Sequence, residues 1–479
     1  MKIYSFIFSL LLGLTTLILN AYPSFAQTSN DSITEIIILH TNDMHGKIDK
    51  MPQLAYYTKM IKKENDNVLL LSAGDLFSGN PVVDQYEKKG YPIIHIMNEV
   101  GYDLSTIGNH EFDYSQEIFG QRMNDAKFDF ICANITVSNG SFPQPKPYKI
   151  FNFNGYKIAV LGLVHTGKNT GIPDAHPAKL KGLEFEDGIE AAKKYRFLKD
   201  SADILIALSH LGYSRDAKLA SEMKELDVII SGHSHQKVAS SNEINNVFIA
   251  QAGAYLEYLG MLSIKVKNGK IIEKTETLID LQNERKTVHK IDSIVEAYNH
   301  NPSLNKPITI ANEDIIGNDA LGILMTDAIK SELKTDIAFQ NNGGIRIDKL
   351  GKGEITIKDV YRLDPFNNDI YIFNLTEDEI KALFKESVSK GHKLYLQVSG
   401  ITFKVTGEDN PTVEITDLNN NPLQKKTYSV ALNSYIASTY KTLANKEGKN
   451  TYMQSASLII GYLKKQKSIR SNKSIRAIY

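Results

Sequence analysis

Short apolar runs alternate with amphipathic segments through residues 33–282. Nine of the runs are rich in Ile, Val and Leu and are too short for helices, so they predict buried strands. The nine runs are 33–39, 68–72, 104–107, 128–133, 157–164, 204–209, 228–231, 247–250 and 262–266. Residues 54–63 and 188–199 have helical spacing instead. This alternation predicts a layered α/β domain over residues 33–282.

The rest of the chain predicts a linker helix and a second domain. Residues 283–299 are polar with one apolar stripe, and a proline at 302 ends the segment, so we place the linker at 283–302. Residues 303–479 then mix predicted helices and strands in an α+β pattern. The helices are 320–333 and 377–389, and the strands are 336–340, 370–375, 401–405 and 427–432.

The N-terminus has the pattern of a secretory signal peptide over residues 1–26. Lys2 precedes an apolar run at 3–19, and Ser24-Phe25-Ala26 gives small residues before a cleavage site after Ala26. An uncleaved membrane anchor is the alternative. No cysteine stands directly after the apolar run, which argues against a lipid anchor there. We therefore expect export without a stable membrane span after cleavage.

Composition narrows the class of protein. The 479 residues include 55 Lys+Arg and 55 Asp+Glu, and this balance argues against a nucleic-acid polymer as partner. The basic residues near the C-terminus predict a solvated strand or tail; they are Lys464, Lys465, Lys467, Arg470, Lys473 and Arg476. The single cysteine, Cys132, cannot form an internal disulfide and predicts a small buried hydrophobe. Export without disulfides fits a periplasm best, with cell surface or medium as alternatives, and no obligate protein partner is predicted.

Metal-binding residue types follow five of the predicted strands. In open α/β sheets, ligands bind at the carboxyl ends of the strands, so these side chains are expected to converge. They are Asp43 and His45, Asp75, Asn109 and His110, His210, and His233 and His235. Each motif alone is more typical of a polar turn, and only their joint occurrence favours a site. Three other histidines stand outside the pattern and receive no metal role: His95, His165 and His176.

Imidazole, carboxylate and amide oxygen suit divalent ions such as Zn, Mn, Co or Ca. Two such ions about 3.5–4 Å apart can clamp the attacking and leaving oxygens of a displacement at phosphorus. Such a pair needs one bridging carboxylate and a water whose pKa is lowered towards neutrality. The sequence therefore predicts a two-metal hydrolase centre whose native metals stay open.

The motifs resemble those of the calcineurin-like metallophosphoesterases. Residues 38–46 (Ile-Leu-His-Thr-Asn-Asp-Met-His-Gly) and 108–113 (Gly-Asn-His-Glu-Phe-Asp) are similar to the 5'-nucleotidase branch, which includes periplasmic UDP-sugar hydrolase and ecto-5'-nucleotidase. The resemblance implies a four-layer αββα catalytic sandwich followed by an α+β substrate domain. In that family a helix at the junction carries a domain rotation.

The resemblance also implies roles for individual residues. One ion would be held by Asp43, His45, Asp75 and His235, and the other by Asp75, Asn109, His210 and His233, with Asp75 bridging. His110 would stand outside the metals and stabilise the phosphoryl group or the leaving oxygen. Asp113 would orient His110, because a carboxylate fixes the tautomer of an imidazole.

A second motif, Asn341-Asn342-Gly343-Gly344-Ile345-Arg346, directly follows a predicted strand. Paired glycines admit a close ligand and an Arg fork suits phosphate, although alone this is more typical of a surface turn. The resemblance implies that Arg346 contacts the phosphate or ribose of a nucleotide and that Asn341 and Gly344 line the base site. It also implies that Phe366 and Tyr435 sandwich the base, although each aromatic alone would be a core residue.

The chain departs from its relatives at two positions. They carry a further arginine before the segment that matches Leu321-Gly322, whereas residues 308–320 contain none. They also place an Asp shortly after the second aromatic to bind the ribose hydroxyls, whereas this chain has Lys441. These differences leave open how the chain binds the phosphate and the ribose, and whether it strictly prefers monophosphates.

The favoured hypothesis is an exported 5'-nucleotidase-type metallophosphatase that releases phosphate from nucleoside 5'-monophosphates through hydroxide held by the metals, for nucleotide salvage. One alternative keeps the centre and changes the substrate to 2',3'-cyclic nucleotides, UDP-sugars or dinucleotides. A non-enzyme alternative is a nucleotide-binding module with a silent centre.

Overall fold

The computed structural model describes residues 33–168, 170–238, 242–366, 368–407, 411–472 and 474–479. The predicted signal peptide at 1–26 lies outside the described residues. Within the described part, every helix is too short or too polar to cross a membrane.

The N-terminal half contains two facing β-sheets. The strands are β1 Thr34–Thr41, β2 Val68–Ser72, β3 Leu104–Thr106, β4 Asp129–Ile131, β5 Ile135–Val137, β6 Tyr148–Phe153, β7 Tyr156–Val164, β8 Leu183–Phe185, β9 Ile204–His210, β10 Val228–Ser231, β11 Lys237–Val238, β12 Glu243–Ile244, β13 Val247–Ala252, β14 Tyr258–Lys267 and β15 Lys270–Asp280. One sheet has the order β15-β14-β1-β2-β3-β4, and the other has the order β11-β13-β10-β9-β7-β6 with β12 on β13. Strands β1 to β4 are parallel, as are β7, β9, β10 and β13, so their carboxyl ends meet at one edge of each sheet.

Helices cover the outer face of both sheets. They are α1 Met51–Glu64, α2 Pro81–Asp84, α3 Tyr91–Val100, α4 Gln116–Asp125, α5 Gly188–Lys193 and α6 Tyr213–Glu222. Alternation along β1 sends Ile36 and Ile38 into the core between the sheets, and Ile37 and Leu39 into the core under the helices. Burial on both faces explains the continuous apolar runs of the sequence. The arrangement confirms the predicted four-layer αββα sandwich.

The helix at the junction, α7 His289–Asn299, packs against α1 and α3. Ile291 and Val295 on its apolar stripe are buried in the same core as those helices. The helix begins later than the segment 283–299 suggested, because the Glu284 carboxylate accepts the N–H groups of the two residues that follow it, at 2.7 Å each.

The C-terminal half is built on a five-stranded sheet of order β22-β18-β25-β21-β26 beside a three-stranded sheet of order β24-β23-β27. Its strands are β16 Pro307–Ala311, β17 Ile315–Ile316, β18 Ile337–Asn341, β19 Lys349–Leu350, β20 Gly353–Thr356, β21 Asp369–Leu375, β22 Leu396–Ser399, β23 Ile401–Thr406, β24 Thr412–Asp417, β25 Tyr428–Asn433, β26 Lys449–Gln454 and β27 Ala477–Ile478. Its helices are α8 Gly317–Leu333, α9 Ile357–Leu363, α10 Glu377–Lys390, α11 Ser434–Thr439 and α12 Ser455–Lys465. This α+β half confirms the second part of the predicted fold class.

Two local expectations were wrong. Residues 188–199 form not one helix but α5 and a separate 3₁₀ turn, Arg196–Asp200, because the backbone at Tyr195 (φ −103°, ψ 15°) leaves helical geometry. Arg476 does not lie in a solvated tail: it is buried, and its guanidinium donates to Asp327 at 2.6 and 3.2 Å. Cys132, in contrast, is buried as predicted, and burial raises the pKa of its thiol to about 12.

Candidate metal centre and substrate pocket

A first group of ligand atoms comes from the loops after β1 and β10. Asp43, His45 and His235 each offer one ligand atom, and the three atoms lie within 4.8 Å of one another. Nδ1 of His45 lies 3.0 Å from the carbonyl oxygen of Ser78. A carbonyl can only accept, so Nδ1 carries the proton and Nε2 presents its lone pair to the group. Nε2 of His45 lies 3.2 Å from Nε2 of His235.

A second group of ligand atoms comes from Asp75, His210 and His233, again within 4.8 Å of one another. Nδ1 of His210 donates to the carbonyl of Ala73 at 2.6 Å, which turns Nε2 towards the group. That Nε2 is buried and makes no well-angled hydrogen bond, although Oδ2 of Asp75 lies 3.1 Å away. Oδ1 of Asn109 joins this group, 3.0 Å from Nδ1 of His233.

One carboxylate, that of Asp75, faces both groups. Its Oδ2 lies 3.9 Å from Nε2 of His45 and 3.1 Å from Nε2 of His210. Burial opposes its ionisation, but His210, His110 and His45 together hold the pKa of Asp75 well below its usual value. Burial lowers the pKa of His45, which keeps that imidazole neutral and able to ligate. Converging lone pairs around an ionised carboxylate fit a pair of divalent cations.

The backbone of these loops is strained in the same way at five of the seven predicted ligands. Asp43, His45, Asp75, His233 and His235 all have φ between 48° and 70°. Asp and His are among the few non-glycine residues that adopt this left-handed region, at a cost that surrounding structure must hold. Backbone hydrogen bonds between the loops supply that support: Asp43 N–H donates to Gly74 O at 3.0 Å, and His45 N–H to Asp75 O at 3.0 Å.

Two buried carboxylates that the sequence analysis gave no role hold the loops together. Glu111 accepts the N–H groups of Asp75, Leu76 and Gly108 at 3.1, 2.7 and 2.7 Å. Asp216 accepts the hydroxyls at the ends of β9 and β10, Ser209 and Ser231, at 2.6 and 2.5 Å. Glu111 stands inside the predicted motif, whereas only the fold brings Asp216 to the two strand ends.

His110 lies beside the two groups and pairs with Asp113. Nδ1 of His110 is 2.6 Å from Oδ2 of Asp113, and the His110 ring centroid is 4.8 Å from that of His45. Burial opposes protonation, but Asp113 and Asp75 raise the pKa of His110 above its usual value. His110 therefore combines an oriented imidazole with a proton that it can donate.

A cavity of about 310 Å³ joins this centre to the C-terminal half. The N-terminal half contributes Asp75, Asn109, His110, Asp113, Asp174, Ala175, His176, Lys179, His233 and His235; the C-terminal half contributes Asn341, Gly343, Gly344, Arg346, Phe366, Asn368, Lys390, Leu394 and Tyr435. All five predicted substrate residues therefore line one pocket with four of the predicted metal ligands. The remaining predicted ligands, Asp43, His45 and His210, are buried behind its wall.

The C-terminal wall of the pocket is aromatic and cationic. The Phe366 ring lies nearly parallel to His110, with 6.0 Å between centroids and 21° between planes, and the Arg346 guanidinium lies 5.5 Å from the centre of Phe366. A Cβ at Gly344 would lie 2.0 Å from Nε2 of Gln340, so a side chain there would displace that amide. Beyond Arg346, the pocket also contains the cations Lys179 and Lys390.

The three histidines outside the predicted pattern have different surroundings. His95 lies 2.8 Å from the hydroxyl of Tyr298 on α7, far from the ligands. His176 lines the pocket. His165 stacks on His233 with 4.4 Å between centroids, so it contacts a predicted ligand although no sequence pattern pointed to it.

Two family models match the chain: calcineurin-like phosphoesterase over residues 36–237, and 5'-nucleotidase, C-terminal domain, over residues 304–444. Endonuclease YhcR of Bacillus subtilis (strain 168) is 27% identical over 86% of this chain, which spans only 38% of YhcR. Protein UshA of Yersinia enterocolitica is 28% identical over 85% of this chain and 86% of its own length. A 5'-nucleotidase precursor of Thermus thermophilus superposes with a TM-score of 0.79 and 25% identity, covering 93% of this chain and 99% of that structure.

Proposed function

We propose a function from one premise: the chain belongs to the calcineurin-like phosphoesterases that carry a 5'-nucleotidase C-terminal domain, and it is an enzyme of the 5'-nucleotidase type. Its proposed reaction is the release of phosphate from nucleoside 5'-monophosphates. The observation that carries the proposal is the single pocket lined by Asp75, Asn109 and His233 on one side and by Phe366 and Tyr435 on the other. Such a pocket can hold the phosphate and the base of one nucleotide together.

The proposed ligands are those of the sequence analysis: Asp43, His45, Asp75 and His235 for one ion, and Asp75, Asn109, His210 and His233 for the other. When bound, the ions would polarise the ester and lower the pKa of the attacking water. Any of Zn, Mn, Co or Ca would suit this donor set. Glu111 keeps the Asp75 loop in place through its three backbone hydrogen bonds.

His110 acts on the phosphoryl group from outside the ligands. Asp113 accepts a hydrogen bond from Nδ1–H, so Nε2 of the imidazolium can donate to a phosphoryl oxygen or to the leaving 5'-oxygen. The Arg346 fork supplies two parallel N–H groups to the remaining phosphate oxygens. The positive charges of His110 and Arg346 offset the negative charge of the phosphate as the ester bond breaks.

Phe366 and Tyr435 hold the base by stacking. Every base has a π-face, so two rings accept adenine, guanine or uracil with little preference. We therefore propose a nucleotidase of broad base tolerance. Residues 1–26 support export, with the periplasm as the favoured location, where the reaction would supply nucleosides and phosphate for salvage. The proposed domain limits are 33–282 and 303–479, joined by residues 283–302.

A substrate panel tests the proposal, with nucleoside, nucleotide, sugar phosphate and free phosphate products all separated by chromatography, because cyclic and diphosphate substrates are first hydrolysed without release of free phosphate. AMP, GMP and UMP are assayed beside 2',3'-cyclic AMP, UDP-glucose and a dinucleotide, with Mn, Zn, Co, Mg and Ca each supplied separately. We expect the three monophosphates to have the highest kcat/KM. Far faster turnover of the cyclic or diphosphate substrates would replace the monophosphatase with one of those activities. Tight nucleotide binding without release under every metal would leave only a binding module.

A further inference from the structure

One acidic side chain of the pocket has no task in the proposed chemistry. Three carboxylates line the cavity: Asp75, Asp113 and Asp174. Asp75 faces the predicted ligands and Asp113 pairs with His110. The Asp174 carboxylate makes no hydrogen bond or ion pair with any residue that the structure describes, and it is exposed to the cavity. It is available to a ligand.

Asp174 is anchored beside the phosphate end of the pocket. Its backbone carbonyl accepts from Nδ2 of Asn109 at 3.2 Å, which also turns Oδ1 of Asn109 towards His233. A carboxylate oxygen of Asp174 lies within 4.8 Å of ring nitrogens of His165 and His233. The Asp174 side chain therefore lies directly beside the predicted metal ligands Asn109 and His233.

The same loop lines the cavity together with a residue proposed to hold the base. Asp174, His176 and Tyr435 all line this one cavity. The Asp174 carboxylate thus lies beside the predicted ligand His233 and faces the cavity that Tyr435 also lines. In a bound 5'-nucleotide, the sugar occupies the space between phosphate and base.

The chemistry of a ribose suits this position. Its 2'- and 3'-hydroxyls are neighbouring donors, and an ionised carboxylate accepts two such hydrogen bonds with its two oxygens. The C-terminal half contributes no carboxylate to the described lining of the pocket. Its nearby Glu386 is already engaged by the N–H groups of Lys441 and Thr442, at 2.7 and 2.9 Å.

We propose that Asp174 accepts the 2'- and 3'-hydroxyls of the substrate ribose. Ribose selection would then lie on a loop of the catalytic half rather than after the second aromatic residue, where this chain has Lys441. The inference rests on the proposed nucleotidase function and names its sugar specificity. A rival role, in which Asp174 and His165 hold an additional cation beside His233, is decided by the same variant.

The test compares AMP with 2',3'-dideoxy-AMP in the wild type and in Asp174→Asn, which preserves side-chain size and the backbone carbonyl. We expect wild-type kcat/KM to favour AMP by about tenfold or more, as for hydrogen bonds to a charged group. In Asp174→Asn the ratio of kcat/KM for AMP to kcat/KM for 2',3'-dideoxy-AMP should fall close to one, because only the value for AMP decreases. Asp200→Asn, an exposed substitution on the 3₁₀ turn Arg196–Asp200, is the matched control and should keep the wild-type ratio.

Calorimetric binding of adenosine and 2',3'-dideoxyadenosine tests the same contact without hydrolysis. An unchanged ratio in Asp174→Asn, or no sugar discrimination by the wild type, would overturn the proposal. Loss of a metal ion from the variant would overturn it in favour of the cation role. If no monophosphate is hydrolysed, the proposed function fails, while the calorimetry still decides whether Asp174 recognises the diol.

Discussion

The two ends of the pocket are built differently. At the metal end, the predicted ligands His45, His210 and Asp75 are buried. Nδ1 of each histidine donates to a backbone carbonyl, and the backbone N–H of Asp75 donates to a buried carboxylate. At the proposed nucleoside end, the side chains of Phe366 and Arg346 contact His110 and each other through ring stacking and a cation–π contact. The metal end is prepared for one geometry, whereas the nucleoside end can adapt to different bases. Substitutions at the two ends should therefore fail in different ways.

The largest effect is expected from Asp75→Asn. Because one carboxylate serves both proposed ions, we expect phosphate release to fall at least about a thousandfold, the scale of losing a main electrostatic contributor. Metal content, measured by mass spectrometry, should fall with it. Asp129→Asn, which removes a surface pair with Lys149, is the control. Full metal occupancy in Asp75→Asn would contradict the bridging role.

His110→Ala should lower kcat about 10²–10⁴-fold, the usual contribution of a positioned general acid. Both ions should remain bound, because His110 stands outside the proposed ligand sets. Asp113→Asn should have a smaller effect in the same direction, since it removes only the partner that orients the ring. Loss of both ions from His110→Ala would place the imidazole among the ligands instead.

At the nucleoside end, Phe366→Leu and Tyr435→Leu should raise KM for AMP about tenfold, because stacking contributes about 1–3 kcal/mol per base. Turnover of p-nitrophenyl phosphate, which has no base, should keep its kcat, and metal content should not change. This pair of substrates sharpens the contrast between the two ends. An equal loss on both substrates would show that the aromatic residues support the catalytic end as well.

The smallest effect on catalysis is expected at Asp364, whose carboxylate supports the backbone of Phe366. Burial raises the pKa of Asp364 to about 6, and its carboxylate accepts from Ser455 and from the backbone of Phe366. Because the folded pKa lies above the unfolded one, the contribution to stability is full below about pH 4 and is lost as pH rises through about 6. Asp364→Asn should lack this loss, which is about 3 kcal/mol in denaturant titrations. Parallel pH profiles of wild type and variant would refute the assignment.

The convergence of the predicted ligands could be inferred from the sequence, for a physical reason that does not apply to Asp174. Asp43, Asp75 and His210 stand at or just after strand ends, and parallel strands bring their carboxyl ends together. Asp174 lies on an irregular loop, and only the fold brings it into the cavity that Tyr435 also lines. No period or motif marks such a residue.

The arrangement of Arg476 shows a similar limit. Basic composition predicted a solvated tail, but the sequence does not show that Asp327 on α8 lies within reach. Long-range pairing of this kind is decided by tertiary packing. The roles assigned to the individual metal ligands and substrate residues stay predictions, which the variants above address.

The central claim is that Asp75 stands between two cations at the floor of a nucleotide pocket. Anomalous diffraction from crystals soaked in Mn²⁺ tests it most directly. We predict two peaks about 3.5–4 Å apart, one on the side of His45 and His235 and one on the side of His210 and His233. A single peak, or peaks away from Asp75, would contradict the account.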